Sequence, residues 1–126
     1  MRRRSTASRS TRACAALDRA TLFATSPDLF KDSEAAGFDR LRRAVKLTRF
    51  GADCYAYGLV AAGFADLVVE ASLKPYDYCA VAPVVEGAGG AMSDWEGRPL
   101  GLASGSRVIA CGDRRLSGAA RALLLG

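Results

Sequence analysis

Apolar positions recur along the chain with two alternating periods, and that alternation predicts the fold class. Ala20-Thr21-Leu22-Phe23-Ala24-Thr25 reads as a short strand, stopped by the turn residues Ser26-Pro27-Asp28. Phe38, Leu41, Ala44, Val45 and Leu47 fall near helical spacing with charges on the other side, so a helix is expected over Phe38 to Thr48, interrupted at Gly51. Cys54 to Ala62 is apolar with small residues throughout, as in a helix buried on most sides, and Gly63 closes it. Ala65 to Glu70 is a β-branched run between polar residues, hence a strand. Pro75 stands where a first-turn proline opens a helix running through Ala80 to Val85, and Gly87-Ala88-Gly89-Gly90 ends it. Strands around Ala91 to Ser93 and Val108 to Ala110 flank a turn at Asp94-Trp95-Glu96-Gly97, and Leu116 to Leu125 forms a closing helix. Strands alternating with helices indicate a layered α/β domain.

Length and charge refine this picture. With 126 residues, half of them apolar, the chain has room for one globular domain with one core. The net charge of +5 is unevenly placed: Arg2, Arg3, Arg4, Arg9 and Arg12 lie in residues 1–12, which hold no acid. Taking those five from the 18 basic residues leaves 13, matched by 13 acids, so residues 13–126 are neutral. The organisation expected is a basic arm over 1–12, disordered or the product of a misplaced start, followed by a domain over 13–126. An organelle transit peptide is the other reading of the arm. Positive charge confined to an arm is not the footprint of a nucleic-acid binder, and no nucleic-acid partner is expected.

Cys14, Cys54, Cys79 and Cys111 form no Cys-x-x-Cys pair, and the chain has no histidine, which argues against a zinc site. Nothing in their spacing suggests a disulfide framework, and free thiols fit the cytoplasm, the location expected. No apolar run approaches the roughly 20 residues that span a bilayer, so no membrane partner is expected.

The stretch richest in chemistry is Lys74-Pro75-Tyr76-Asp77-Tyr78-Cys79-Ala80. Asp77 stands beside a predicted helix start, just after a strand ending near Glu70, at the mouth of the crevice where open α/β sheets bind ligands. A carboxylate there suits magnesium, which takes oxygen ligands from one or two carboxylates plus substrate phosphate. Aspartate is equally favoured as a helix cap, so the residue alone leaves both readings open. Gly87 to Gly90 suits a helix-ending turn better than a phosphate cradle, and Thr25-Ser26-Pro27 reads as ordinary turn chemistry. Arg49 reads as a solvated helix end. Cys54 and Cys79, in apolar surroundings, read as buried small hydrophobes, and Trp95 as a cover for the core.

In its wider pattern the chain resembles the inositol monophosphatase superfamily. An aromatic before Asp77, small residues after it and the Gly89-Gly90 pair carry the resemblance, which extends to Gly51-Ala52-Asp53-Cys54-Tyr55-Ala56-Tyr57-Gly58, Asp66-Leu67-Val68-Val69-Glu70 and Asp94-Trp95-Glu96-Gly97-Arg98-Pro99-Leu100. It covers roughly residues 12–123 and implies a layered sandwich, a mixed sheet flanked by helices, corresponding to the C-terminal half of such an enzyme. It implies magnesium-dependent hydrolysis of a small phosphate monoester, with Asp77 as a metal ligand and Glu70 touching the non-phosphate part of the substrate. Gly51, Ala52 and Asp53 would line the same pocket, and Lys74 lies between, near substrate or merely exposed. Thr25-Ser26-Pro27 resembles a pocket-edge segment of the family as well as common turn chemistry. The strings Asp53-Cys54-Tyr55-Ala56-Tyr57 and Leu73-Lys74-Pro75-Tyr76-Asp77-Tyr78 look most like the histidinol-phosphatase branch. Two carboxylates, Asp53 and Glu70, suit the cationic histidinol phosphate better than neutral inositol hydroxyls, although Asp53 as a solvent-facing helix cap remains an alternative. The Glu-Glu and Asp-Pro-x-Asp-Gly-Thr segments of the family, which supply most metal ligands and the water-activating group, do not occur in these 126 residues. The expectation is therefore a chain with no catalytic residue of its own and little activity alone, completed by a missing N-terminal half or a homodimer partner. Inositol-1-phosphate hydrolysis and a non-catalytic binding module are the alternatives.

Overall fold

The computed structural model describes residues 16–51, 55–72, 78–101 and 105–126. The elements, in chain order, are β1 (Thr21–Ala24), α1 (Ser33–Ala44), β2 (Leu47–Phe50), α2 (Tyr55–Ala61), β3 (Leu67–Glu70), α3 (Ala82–Gly87), β4 (Ala91–Ser93), β5 (Val108–Cys111) and α4 (Arg115–Leu125). The strands form one mixed sheet in the order β2-β1-β3-β5-β4. β1, β2 and β3 run parallel because α1 and α2 carry the chain back between them, whereas β5 pairs antiparallel with both β3 and β4. This is the α/β layering that the alternation of periods predicts.

The central strands explain why the sheet holds. Every residue of β3 and β5 is buried, as expected for strands covered on both faces. One face packs Leu22, Leu67, Val69 and Ile109 against Phe38 and Leu41 of α1 and Leu116, Ala120 and Leu124 of α4. The other packs Val68, Val108 and Met92 against Ala56, Tyr57 and Val60 of α2, with Tyr78 and Val85. Trp95 is buried, as expected of an aromatic covering the core; it lies near Phe30, and its indole N–H donates to the carbonyl of Val108 at 3.3 Å.

Three elements depart from the sequence expectation. The helix expected over Phe38 to Thr48 starts at Ser33 and ends at Ala44, and Leu47–Phe50 is a strand instead. The amides of Lys46 and Leu47 both donate to the Ala20 carbonyl, drawing the chain out of the helix and onto β1. Arg49 therefore sits on an edge strand, not at a helix end. In α2 only Ala56, Tyr57 and Val60 are buried, while Tyr55 is 70% exposed, so this helix buries one face rather than most of its surface. The helix expected through Ala80 to Val85 is broken: Tyr78 is helical, Cys79 to Val81 is a turn, and α3 begins at Ala82 with Pro83 in its first turn. A proline lacks the N–H that a helix interior needs, so Pro83 resets the start. Pro75 lies outside the described residues, as does the arm over 1–12.

α1 and α4 pack so closely that side chains would separate them. A Cβ at Gly37 would collide with the Leu124 carbonyl. Beside it Arg40 donates from Nε to the Leu123 carbonyl at 2.7 Å, satisfying an orphan acceptor at the end of α4. Gly37→Ala is accordingly expected to destabilise the fold by about 1–3 kcal/mol through overpacking, read as a lower urea midpoint at unchanged slope.

Cys111, buried in β5, carries a second expectation. Burial pushes its thiol up to about 11 from an ordinary value of 9.0. Because the folded value is raised, the unfolded chain loses its proton first. The contribution to stability is present below pH 9 and is lost as pH rises toward 11, by about 3 kcal/mol at most. Urea midpoints measured across that window should fall more steeply for the native chain than for Cys111→Ala.

Candidate functional site

Three parallel strands end at one edge of the sheet, and their last residues meet there. β1 and β2 pair as far as Ala24↔Phe50, and β1 and β3 as far as Phe23↔Val68, so the next positions bring Thr25, Gly51 and Glu70 together. Carboxyl ends of parallel strands are where sheets of this class hold their ligands.

Thr25 is the hub. Its amide donates to Glu70 Oε1 at 2.7 Å and its hydroxyl to Oε2 at 2.6 Å, so both oxygens of the carboxylate are held by one residue. The Thr25 carbonyl in turn accepts the amide of Gly51 at 2.9 Å. Glu70 is 2% exposed, and a buried carboxylate is tolerated only with such donors. Gly51 has φ of +89°, and nothing lies within 4 Å of where a Cβ would stand. The glycine is thus required by its backbone conformation, which turns the chain away from β2, and not by lack of space.

The other end of β1 repeats the device. Asp66, just before β3, accepts the Thr21 amide at 2.8 Å, so β3 grips β1 through a carboxylate at each end. Beyond Glu70 the chain leaves through Ser72, whose φ of 64° is uncommon for a residue with a side chain. The Ser72 hydroxyl donates to the Leu29 carbonyl at 3.1 Å, tying this exit to the turn that follows β1. The buried Tyr78 hydroxyl reaches the Gly105 carbonyl at 3.2 Å, securing the chain where it re-enters the core.

Of the site residues expected from the sequence, Glu70 and Gly51 are brought together, and Thr25 joins them. Ala52, Asp53, Lys74 and Asp77 lie outside the described residues. Thr25, in a segment that resembles a pocket edge, is not tied to Glu70 by the sequence because the two are 45 positions apart; the pairing of β1 with β3 reveals the bond. Gly89 and Gly90 end α3, with the Gly90 amide donating to the Val85 carbonyl at 3.0 Å, in keeping with a helix-ending turn. Cys79 is half-buried against the second core rather than fully enclosed, and Cys54 is outside the described residues.

A polar pocket of about 350 Å³ contains Glu34, Asp94, Arg98 and Arg107. Its charges are matched to each other: Arg107 to Glu34 at 2.8 Å and Arg98 to Asp94 at 3.0 Å, with Arg107 also lying over the Trp95 ring. Such internal pairing serves to join α1 to the loops around β4 and β5.

Magnesium takes six oxygens in near-octahedral array. Among the described residues no group of three or more acidic, histidine or cysteine side chains converges. Glu70 is already oriented by two donors, so the described residues do not by themselves fit the ion. Among them, no helix is long and apolar enough to cross a membrane.

Comparison with known proteins gives this geometry a setting. The pattern of the Inositol monophosphatase family matches residues 3–124. The chain is 46% identical over 111 residues to the "Bifunctional phosphatase IMPL2, chloroplastic" of Arabidopsis thaliana, covering 82% of this chain and 32% of that protein. It is 45% identical over 60 residues to the "Histidinol-phosphatase" of Chlorobaculum parvum, covering 48% of this chain and 23% of that one. A solved inositol monophosphatase from Zymomonas mobilis superposes with a TM-score of 0.87 at 48% identity, over 89% of this chain and 44% of the other. The chain thus spans a third or less of the length of these curated relatives and under half of the solved one.

The Thr25–Glu70 pair can be tested in isolation. Glu70→Gln keeps one acceptor but turns an amide donor toward Thr25, and about 2 kcal/mol of stability should be lost. Thr25→Val should lose less, and the double variant should show coupling of about 1–2 kcal/mol in a double-mutant cycle of urea unfolding. Strict additivity would mean that the pair does not hold the edge together.

Proposed function

The chain belongs to the inositol monophosphatase family, and from that premise we propose that it serves in the magnesium-dependent hydrolysis of a small phosphate monoester, with histidinol phosphate as substrate. Family membership and the likeness to named phosphatases support the reaction class. The observation that carries the site assignment is Glu70, a buried carboxylate fixed at the carboxyl edge of three parallel strands. A carboxylate offers about four acceptor positions. Thr25 orients the carboxylate, and the proposed role of Glu70 is to accept from the non-phosphate part of the substrate.

The substrate preference follows from charge. Asp53 stands two residues beyond Gly51 in sequence, and a second carboxylate beside Glu70 favours a ligand bearing an ammonium and an imidazole over one bearing neutral hydroxyls. A histidinol-phosphatase among the relatives supports this branch over 60 residues. The runner-up, inositol 1-phosphate, draws support from the inositol monophosphatase of Zymomonas mobilis. On the proposed reading Asp77 holds a magnesium ion, Gly51 and Ala52 shape the pocket wall beside it, and Lys74 faces the substrate. The ion would supply charge neutralisation at the phosphate when bound.

The 126 residues lack the family's Glu-Glu and Asp-Pro-x-Asp-Gly-Thr segments. The reading therefore places this chain as the C-terminal part of the catalytic unit, binding substrate but turning over little without the rest. Calorimetric titration with magnesium present should show histidinol phosphate bound about tenfold more tightly than inositol 1-phosphate, as expected for one additional charge-assisted bond. Asp53→Asn should remove that preference. The reverse preference would assign the chain to inositol phosphates, and no binding of either would favour a non-catalytic module. Steady phosphate release by the chain alone, abolished by Asp77→Asn, would overturn the expectation of inactivity.

A further inference from the structure

We propose that the groove along edge strand β4 binds a small oxyanion, the phosphate or carboxylate group of a small molecule. The groove measures about 350 Å³ and is bounded by Ser93 and Pro99 on the strand side and by Arg114, Ser117, Gly118 and Arg121 on the helix side. Its volume suits a small ligand rather than a polymer. The helix residues are spaced i, i+3, i+4 and i+7, which places them on one face of α4.

Both guanidinium-bearing residues line the groove. Helical side chains lean toward the N-terminus, and Arg121 does so: its Nε donates to the Ser117 hydroxyl at 3.3 Å and Nη1 to the Glu96 carbonyl at 3.4 Å. Arg121 is thereby held back over the preceding turn of the helix. The Arg114 side chain forms no ion pair among the described residues. Its neighbour Arg115, by contrast, is neutralised by Asp113 at 2.7 Å, and that guanidinium holds the Asp113 carboxyl below its usual range. Glu86, the one acid bounding the groove, pairs with neither arginine at ion-pair distance. Two guanidiniums and a hydroxyl lining one groove suit a tetrahedral or planar oxyanion. Gly118 leaves the floor open, since nothing lies within 4 Å of where its Cβ would stand. β5 separates β4 from β3, so this groove does not share the Thr25–Glu70 edge.

The test is titration of inorganic phosphate into the full chain, followed by amide shifts in nuclear magnetic resonance spectra. The Ser117 and Gly118 amides should move and saturate with a dissociation constant on the order of 1 mM. Arg114→Gln should weaken binding about tenfold, the value of one charge-assisted bond. Gly118→Leu should block it while the circular dichroism spectrum is preserved, leucine being the better helix former. Should Gly118→Leu fail to fold, Arg114→Gln decides the matter alone. Absence of shifts at these two amides, or shifts unchanged by Arg114→Gln, would overturn the proposal. So would loss of binding on deleting only residues 1–12, since the anion would then belong to the arginine arm.

Discussion

The buried carboxylate of Glu70 is the constraint on which the edge of the sheet depends. A charge taken out of water must be matched by hydrogen-bond donors, and here both oxygens are matched by Thr25. That requirement fixes the end of β1 against the end of β3. It also fixes Thr25, whose carbonyl then orients Gly51 and the exit from β2. One desolvated group thus aligns three strand ends. The same logic at Asp66 holds the opposite end of β1, so the strand is registered from both sides by residues of one neighbour.

This arrangement gives the site rigidity without a large local core. β2 is an edge strand with Leu47 and Phe50 both more than 40% exposed, and its packing alone would register it weakly. The hydrogen bonds that pass through Thr25 compensate. The segments carrying Asp53 and Asp77 attach directly to residues secured in this way: Gly51 on one side, Ser72 and Tyr78 on the other.

The legible parts of the fold were the short apolar runs bounded by turn residues. Ala91 to Ser93 shows the boundaries its pattern implies, and β3 and β5 emerge as the apolar runs that central strands must be. β2 was hidden because Leu47-Thr48-Arg49-Phe50 buries little and so carries no strand pattern, while Leu47 happens to extend the helical spacing of Phe38 and Leu41. The break before α3 was missed because the apolar run is continuous through Ala80, and the effect of Pro83 depends on where the chain turns. In the site, Glu70 was legible as a carboxylate ending a strand. The bond of Thr25 to it was not, because a hydrogen bond across 45 positions leaves no local trace in the sequence.

The contact of α1 with α4 bears on how the molecule is made. Gly37 meets the Leu124 carbonyl, and Arg40 reaches a carbonyl 83 positions further along. During synthesis α1 leaves the ribosome long before its partner exists, with the apolar faces of Phe38 and Leu41 waiting for α4. The helix that completes this core is translated last among the described elements, so the fold closes only when nearly all of this sequence has emerged. Until then the nascent chain presents an open apolar surface, the condition under which chaperones engage and neighbouring chains on a polysome can mispair.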